Sequence, residues 1–313
     1  MSALPLVRGL HNLPEDLRGA VVAIGNFDGV HRGHQALVER ARTLATGAAT
    51  RAVVMSFEPT PRELFQPAAA PPRVLPLADK RAALQAAGAD AWLILRFSRA
   101  LAALEPEAFI RQLLLERLAV RAVVVGEDFR FGQARRGDVQ LLTRELRPQG
   151  RAVEAIGTIT LDGLRCSSTL LRERLGAGDL SGVRQLLGRP YALSGVVRHG
   201  LKLGRDLGMP TANLAFRRPL ALAHGVYAVR VCEGRRRWQG VASFGVRPTL
   251  GLSQCLLEVH VFDDRPDLYG RRLSVEVVEF LRPQARFDSL AALAAQMQAD
   301  AEAARTRLSR DPS

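Results

Sequence analysis

The chain is poor in cysteine and has no long apolar run. Its three cysteines are widely spaced and odd in number among 313 residues, which argues against a disulfide framework and against structural zinc. No apolar run approaches the ~20 residues needed to cross a bilayer, and the first residues lack a basic region followed by a sustained apolar stretch. We therefore expect a cytoplasmic protein with reduced, mostly structural thiols and no membrane partner.

Lysine is almost absent from a strongly basic chain. The net charge is +13, but only two of the 44 basic residues are lysines, Lys80 and Lys202. Such a charge suggests nucleic acid, an anionic membrane or phosphate-rich ligands. The arginines are scattered among acids, however, and no aromatic stacking motif lies between them. A solvated arginine-rich surface explains the charge better than a nucleic-acid site.

The chain is 47% hydrophobic and 24% charged, which is typical of a globular protein. The order of its apolar runs predicts two domains, 1–187 and 188–313. In the first, continuous apolar strands alternate with helices, which predicts a Rossmann-like, doubly wound parallel sheet with ligands at the carboxyl ends of its strands. The predicted strands cover 20–25, 52–57, 91–95 and 122–126, and the helices 35–44, 80–87, 106–118 and 137–146.

A short helix over 180–187 ends the first domain, and the second is predicted to be all-β. Its strands, over 191–198, 225–232, 238–244, 256–262 and 271–280, follow one another without intervening helices. This order predicts an antiparallel barrel or sandwich. An Ala-rich amphipathic helix over 289–308 closes the chain.

The segment from Gly25 to His34 reads Gly-Asn-Phe-Asp-Gly-Val-His-Arg-Gly-His. It leaves a buried strand, turns through glycines and opens a helix, so free N–H groups and the positive helix end face an anion. His31 and His34 lie on one helical face, from which they could donate to triphosphate oxygens. Gly33 would let a nucleotide approach the backbone. Taken alone, H-x-x-H also fits a glycine-rich turn with surface histidines or a metal pair; Walker and dinucleotide fingerprints are absent.

The run from His31 to His34 resembles the H-x-G-H signature of nucleotidyltransferases, and the longer segment resembles the FMN adenylyltransferase of prokaryotic bifunctional riboflavin kinase/FAD synthetases. Segments 56–61, 125–132 and 166–172 also match, although Thr60 stands where relatives commonly carry histidine. The residues that we assign to nucleotide and phosphate binding in this domain are Gly25, Phe27, Asp28, Gly29, Gly33, Ser167, Ser168, Thr169 and Arg172. Asp128, Phe129 and Phe131 are assigned to the flavin, as an acceptor and two flat surfaces.

Two of these segments have plainer readings. The turn from Gly126 to Gly132 equally fits a structural turn whose aromatic residues fill the core. Ser167, Ser168 and Thr169 form an N-cap cluster, which by itself marks only a helix start. In the family the equivalent stretch contacts ATP phosphates, and Arg172 is its charged member here.

The second domain carries its own polar motifs. A basic, glycine-bearing loop with Gly200, Lys202, Gly204 and Arg205 suits a flap over ATP phosphates. Thr211 and Asn213, two residues apart, project to one side if extended and offer oxygen ligands for Mg²⁺; a Pro-Thr turn that satisfies the backbone is the alternative. Glu258 alternates with apolar neighbours on a strand and could accept a proton from an attacking alcohol, unless it faces solvent or an arginine.

The Pro210-Thr211-Ala212-Asn213 run resembles the hallmark of riboflavin kinases, with Met209 in place of the usual phenylalanine. The resemblance implies that Thr211 and Asn213 hold Mg-ATP and that Glu258 is the catalytic base. The expected reactions convert ATP and riboflavin to FMN and ADP, then ATP and FMN to FAD and diphosphate. FMN is thus an intermediate, FAD the product, and no nucleic acid takes part.

Two other functions remain open. A different H-x-G-H nucleotidyltransferase, acting on a nicotinate or pantetheine phosphate, would leave the second domain without a purpose. A basic nucleic-acid-binding regulatory protein on the same fold would bind RNA or DNA in a salt-sensitive way. The sequence also leaves room for a weak homo-oligomer.

Overall fold

A computed structural model describes residues 3–199, 208–249, 252–262 and 267–310. The chain forms two compact units: the first comprises residues 1–71 and 80–166, and the second residues 72–79 and 167–313. The loop residues Gly200, Lys202, Gly204 and Arg205 lie outside the described residues.

The first unit is built on a six-stranded parallel sheet in the order β1-β4-β3-β2-β5-β6. The strands are β1 (Leu6–Arg8), β2 (Val21–Ile24), β3 (Ala52–Glu58), β4 (Ala91–Arg96), β5 (Ala122–Gly126) and β6 (Ala152–Ile156). The helices are α1 (Arg32–Gly47), α2 (Pro61–Phe65), α3 (Leu77–Ala86), α4 (Arg99–Ala102), α5 (Pro106–Phe109), which continues as a π-helix over Ile110–Arg117, and α6 (Val139–Leu146). The first three residues of α3 belong to the second unit. A small hairpin, β7 (Thr160–Leu161) and β8 (Leu164–Arg165), follows the sheet.

The centre of this sheet places the first candidate site. All four residues of β2 are almost completely buried, as expected for a parallel strand covered on both faces. The strand order reverses between β2 and β5, so the connections that leave these two strands diverge and open a crevice at their carboxyl ends. The segments that follow β2 and β5 are those that begin at Gly25 and Gly126.

The second unit contains two helices, α7 (Ser168–Gly176) and α8 (Leu180–Leu187), and an antiparallel sheet in the order β10-β13-β12-β11-β14-β9. Its strands are β9 (Ala192–Val196), β10 (Ala212–Phe216), β11 (Gly225–Glu233), β12 (Arg236–Thr249), β13 (Leu252–Val261) and β14 (Arg272–Pro283), and the helix α9 (Leu290–Arg310) follows them. An isolated bridge joins the two edges, where the Arg198 N–H donates to the Asn213 carbonyl at 2.9 Å. The sheet is therefore a nearly closed barrel.

The predicted fold class is confirmed, and most predicted strands and helices are present within a few residues. The strands β1, β6 and β10 and the short hairpin of β7 and β8 were not predicted. β1 has three residues, β6 is half-exposed with Glu154 at its centre, and β10 follows a Pro-Thr pair that is also typical of turns. Within the described residues, no helix combines the length and apolarity that a membrane span requires.

The terminal helix α9 is fixed to the barrel by a charged pair and an apolar seam. Nε and Nη2 of Arg282, on β14, donate to the two carboxylate oxygens of Asp300 at 2.7 and 2.6 Å. Asp300 is only 6% exposed and also accepts from Gln296 at 2.9 Å. Ala304 and Leu308 are fully buried in the same core cluster. The helix thus forms part of the unit's core.

Replacing Asp300 with alanine should destabilise the second unit by about 3 kcal/mol, because removing one partner of a buried pair leaves the other charge uncompensated. Urea unfolding of the full chain would measure this in the transition that belongs to the barrel. Glu279→Ala is the matched control, since Glu279 and Arg307 are both more than 40% exposed and such pairs contribute about 0–1 kcal/mol. Equal losses in both variants would contradict the expectation.

Candidate active sites

His31 caps the helix that opens the first site. It is the N-cap residue of α1, and its Nδ1 accepts a hydrogen bond from the backbone N–H of His34 at 3.4 Å. An accepting Nδ1 carries no proton, so the ring proton lies on Nε2, which can act as a donor. The helix therefore begins at Arg32, three residues before the predicted start, and the cap fixes the tautomer of His31.

His31 and His34 form a stacked pair. Their ring centroids are 3.7 Å apart with 24° between the planes, and the ring of the fully buried Phe27 lies 5.1 Å from that of His34. Burial, followed by the nearby His31 ring and Lys80 ammonium, holds the pKa of His34 well below its usual range. His34 is consequently neutral at physiological pH, and its buried Nδ1 has no hydrogen-bond partner.

The turn before the pair is strained. Phe27 and Val30 have φ angles of 52° and 47°, a left-handed conformation that is unusual for any side chain and an outlier for a β-branched one. Gly29, with a φ of 88°, takes the same region without penalty. Gly33 matters for space, because a Cβ there would lie 3.1 Å from the His31 ring. Strain of this kind concentrates at ligand sites.

The segment after β5 gives a mixed result for the predicted flavin residues. Phe131 is 7% exposed and packs on Phe109, with ring centroids 5.2 Å apart, so its ring belongs to the core. Phe129 is partly buried and stacks on Phe131 at 5.6 Å. The Asp128 carboxylate accepts from Arg165. A flavin contact by these residues stays a prediction, and for Phe131 the packing favours the structural-turn interpretation.

The predicted serine–threonine cluster starts a helix. The Ser167 hydroxyl caps α7 by accepting from the backbone N–H of Leu170 at 3.1 Å, and Ser168 and Thr169 are the first helical residues. Nε of Arg172 donates to the Pro72 carbonyl at 2.8 Å. These residues belong to the second unit, and their phosphate contacts stay a prediction.

Thr60 has a structural explanation. Its hydroxyl caps α2, and the Glu63 carboxylate accepts from the Thr60 N–H at 2.8 Å, which completes a capping box. Threonine at this position therefore stabilises a helix start, a role that its place in the family pattern did not predict.

The barrel holds a cavity of about 600 Å³ whose lining includes two of the predicted kinase residues, Thr211 and Glu258, but not Asn213. Asn213, Glu258 and Ser243 stand directly opposite one another on β10, β13 and β12. Opposite residues of antiparallel strands share a face, so this row extends across the sheet. Thr211, Ser243 and Glu258 line the cavity together. The structure thus brings Thr211 and Glu258 to one site.

The rest of the cavity wall is largely apolar. Val226 and Arg282 continue the row across β11 and β14. The loop after β14 and the helix α9 add Phe287, Leu293 and Met297. The volume lies within the range of small-molecule sites, which combine apolar walls with a few polar groups. Sequence analysis predicted α9 but not its part in this wall.

Asn213 presents an oxygen without a protein partner. Its side chain is 5% exposed, and Oδ1 is buried with no hydrogen-bond partner, while Nδ2 donates to the Thr211 carbonyl at 3.5 Å. A buried unpaired acceptor is costly unless a ligand satisfies it. The described residues contain no cluster of three or more histidine, cysteine or acidic side chains suited to a metal. Thr211 and Asn213 offer oxygen donors of the kind that a hard cation prefers.

The fold and the two sites define a nucleotidyltransferase joined to a kinase barrel. Comparison with protein families agrees: residues 13–170 match FAD synthetase and residues 187–308 match riboflavin kinase. The chain belongs to the bifunctional riboflavin kinase/FMN adenylyltransferase family. It uses ATP to phosphorylate riboflavin to FMN and a second ATP to adenylylate FMN to FAD.

Similar proteins cover the whole chain. Proteins named bifunctional riboflavin kinase/FMN adenylyltransferase are 46% identical in Pseudomonas fluorescens and 42% in Escherichia coli K12, each over 96% of this chain and 97% of the relative. A crystal structure titled macrolide-efflux protein, from Streptococcus pneumoniae, has a TM-score of 0.82 at 28% identity and covers 96% of this chain and 99% of that one. The predicted family and function are confirmed.

Proposed function

We propose that adenylyl transfer takes place at the turn between β2 and α1. This assignment rests on the stacked pair of His31 and His34 at a helix start, beyond the carboxyl end of a central strand. The helix start carries a partial positive charge of about half a unit. His31 Nε2–H, the backbone N–H groups and His34 would donate to the phosphate chain of ATP as charge builds on the departing diphosphate.

The nucleophile of this step needs no base on the protein. The FMN phosphate is already an anion, and it attacks the α-phosphorus of ATP while the bond to the diphosphate breaks. No covalent enzyme intermediate is required, so positioning and electrostatics supply the catalysis. Gly25, Phe27, Asp28, Gly29 and Gly33 would shape this site.

The remaining assignments of the adenylylation step rest on the family resemblance. The residues for which we retain the phosphate-binding role are Ser167, Ser168, Thr169 and Arg172. Asp128 and Phe129 retain the flavin role, with Phe131 supporting Phe129 from the core.

We propose that Glu258 is the general base of the kinase. It would deprotonate the 5′-hydroxyl of the ribityl chain, and the resulting alkoxide would attack the γ-phosphorus of ATP in line and release ADP. The shared cavity of Glu258 and Thr211 supports this role, and its apolar wall suits an isoalloxazine ring. Gly200, Lys202, Gly204 and Arg205 are proposed to cover the phosphates.

We propose Mg²⁺ as the metal of the kinase, held by Thr211 and Asn213. When bound, it would neutralise charge on the ATP phosphates. The unpaired Oδ1 of Asn213 supports this assignment, since Mg²⁺ takes few protein ligands and prefers oxygen.

Asn213→Ala should raise the Mg²⁺ concentration needed for half-maximal riboflavin phosphorylation by about 10- to 100-fold. Loss of a side chain that supports a metal site typically lowers metal affinity by about that factor. A titration of FMN formation against Mg²⁺ at saturating riboflavin measures this. Ser243→Ala, two strands from Asn213 in the same row, is the matched control and should leave the Mg²⁺ dependence unchanged. An unaltered Mg²⁺ dependence in Asn213→Ala would remove Asn213 from the metal site.

We further propose 1–187 and 188–313 as the functional domains and a cytoplasmic location for the protein. We propose neither nucleic acid nor a membrane as a partner, and any homo-oligomer would be weak. Arginines such as Arg18, Arg40 and Arg174 lie within 4 Å of carboxylates, as expected for a mixed, solvated surface. Salt-sensitive binding to RNA or DNA would contradict this proposal.

A further inference from the structure

Lys80 is a buried ammonium next to the first site. It lies on α3 and is 4% exposed, although lysine is almost never buried without partners. Its Nζ donates to the carbonyl of Asn26, within the turn between β2 and α1, and lies 5.1 Å from the centre of the Trp92 ring. The Trp92 indole is fixed in turn by a 2.7 Å bond to the Ser56 hydroxyl. The fold therefore holds this charge in one place.

Burying an ammonium group has a large desolvation cost. The basic residues of this chain are nearly all arginine, yet the residue that contacts the Asn26 carbonyl is one of the two lysines. A lysine ammonium is a compact point charge, whereas an arginine guanidinium is planar. A core residue would satisfy the same packing without a charge. The position instead suits a site in which negative charge increases during the reaction.

We propose that Lys80 is a positioning residue of adenylyl transfer: it fixes the Asn26 carbonyl, and so the strained turn, and it supplies a positive charge near His34. His34 is neutral, so it donates a hydrogen bond but adds no net charge. Lys80 adds that charge without touching the substrate. The inference rests on the proposed role of the His31–His34 pair.

Lys80→Met tests the charge at similar side-chain volume. The rate constant for FAD formation from FMN should fall by about 100-fold with little change in the KM for ATP, as expected when charge stabilisation acts mainly in the transition state. Lys80→Arg, which keeps a cation, should restore at least about tenfold of that loss. Riboflavin phosphorylation by the same preparations should be unchanged.

A pH profile separates this role from simple core packing. The charged or titratable groups that act on His34 are His31, at the same helix start, and Lys80, from α3. Without Lys80, His34 takes up a proton more readily, so the acid limb of FAD formation should move to higher pH in Lys80→Met. Trp92→Phe, which disturbs the same packing but keeps the ammonium, should leave the limb in place. An unmoved limb in Lys80→Met, or FAD formation within about threefold of wild type, would overturn the inference.

If Lys80→Met does not fold, the role of Lys80 can still be tested by NMR of the chain that retains this lysine. Labelling lysine with ¹⁵N and ¹³C gives two side-chain signals in the whole chain, and Lys202→Arg identifies that of Lys80. Adding diphosphate should shift the Lys80 signal in the wild type but not in His34→Ala. No shift in the wild type would overturn the role of Lys80. If instead His34→Ala forms FAD normally, it is the site assignment that fails.

Discussion

Glu258→Gln is expected to stop the conversion of riboflavin to FMN while FMN is still converted to FAD. Glutamine keeps the size of the side chain and its place opposite Asn213 and Ser243, but it cannot take the proton of the ribityl hydroxyl. Loss of a general base typically costs about 10²- to 10⁴-fold in rate. Chromatographic separation of riboflavin, FMN and FAD after incubation with ATP and Mg²⁺ measures both steps at once.

The control for this variant is Glu279→Gln on β14. Its carboxylate is 44% exposed, pairs with Arg307 and is absent from the cavity wall, so both activities should stay close to wild type. A folded Glu258→Gln variant that still phosphorylates riboflavin would show that another group accepts the proton. Loss of both activities in that variant would contradict two independent sites.

His34→Ala should produce the opposite pattern, in which FMN accumulates and FAD does not form. The substitution removes one hydrogen-bond donor and the stacking partner of His31, and the loss of one donor to developing charge costs about 10²- to 10³-fold. Supplying FMN directly should not restore FAD formation. His11→Ala, at an exposed histidine of the same unit, should leave both steps intact.

The neutral state of His34 also predicts a pH dependence in the wild type. Its pKa is lowered mainly by burial, so the folded chain takes up this proton only at pH values well below the usual ~6.5 of histidine. Protonation of His34 should therefore not limit FAD formation between pH 8 and about 6.5. An acid limb near the usual histidine pKa that is absent from His34→Asn would show that the ring titrates normally.

A mixture of the two variants tests the independence of the sites. Glu258→Gln makes no FMN and His34→Ala makes no FAD, but together they should convert riboflavin to FAD, because FMN released by one protein can bind the other. No FAD from the mixture, with each variant active in its remaining step, would mean that FMN does not pass through solution.

The sequence predicted the scaffold better than the cavity. Long apolar strands such as β5 were predicted to the residue, since periodicity and β-branching are local properties. β10 was not, because the Pro-Thr pair before it is equally typical of a turn, and the residues of β13 with which it pairs lie 39 to 47 positions later in the chain. For the same reason the Arg282–Asp300 pair, which joins β14 to α9, has no local signature.

Lys80 shows the same limit within the first site. A lysine in a helix normally indicates an exposed position, and α3 has too weak an amphipathic pattern to indicate otherwise. Its burial depends on Asn26, 54 residues earlier in the chain, and on Trp92 in the next strand. Sequence patterns identified His31 and His34 but could not identify the buried Lys80 near them.

Asn213, which the bridge joins to Arg198, has two roles in the barrel. Its backbone carbonyl completes the cylinder of strands, and its amide oxygen is the unsatisfied acceptor proposed for the metal. Pairing with β13 holds Asn213 opposite Glu258, and the bond from Arg198 fixes the other edge of the same strand. The seam therefore restrains the proposed metal ligand from the side away from the proposed base, although the Arg198 N–H takes no part in the chemistry.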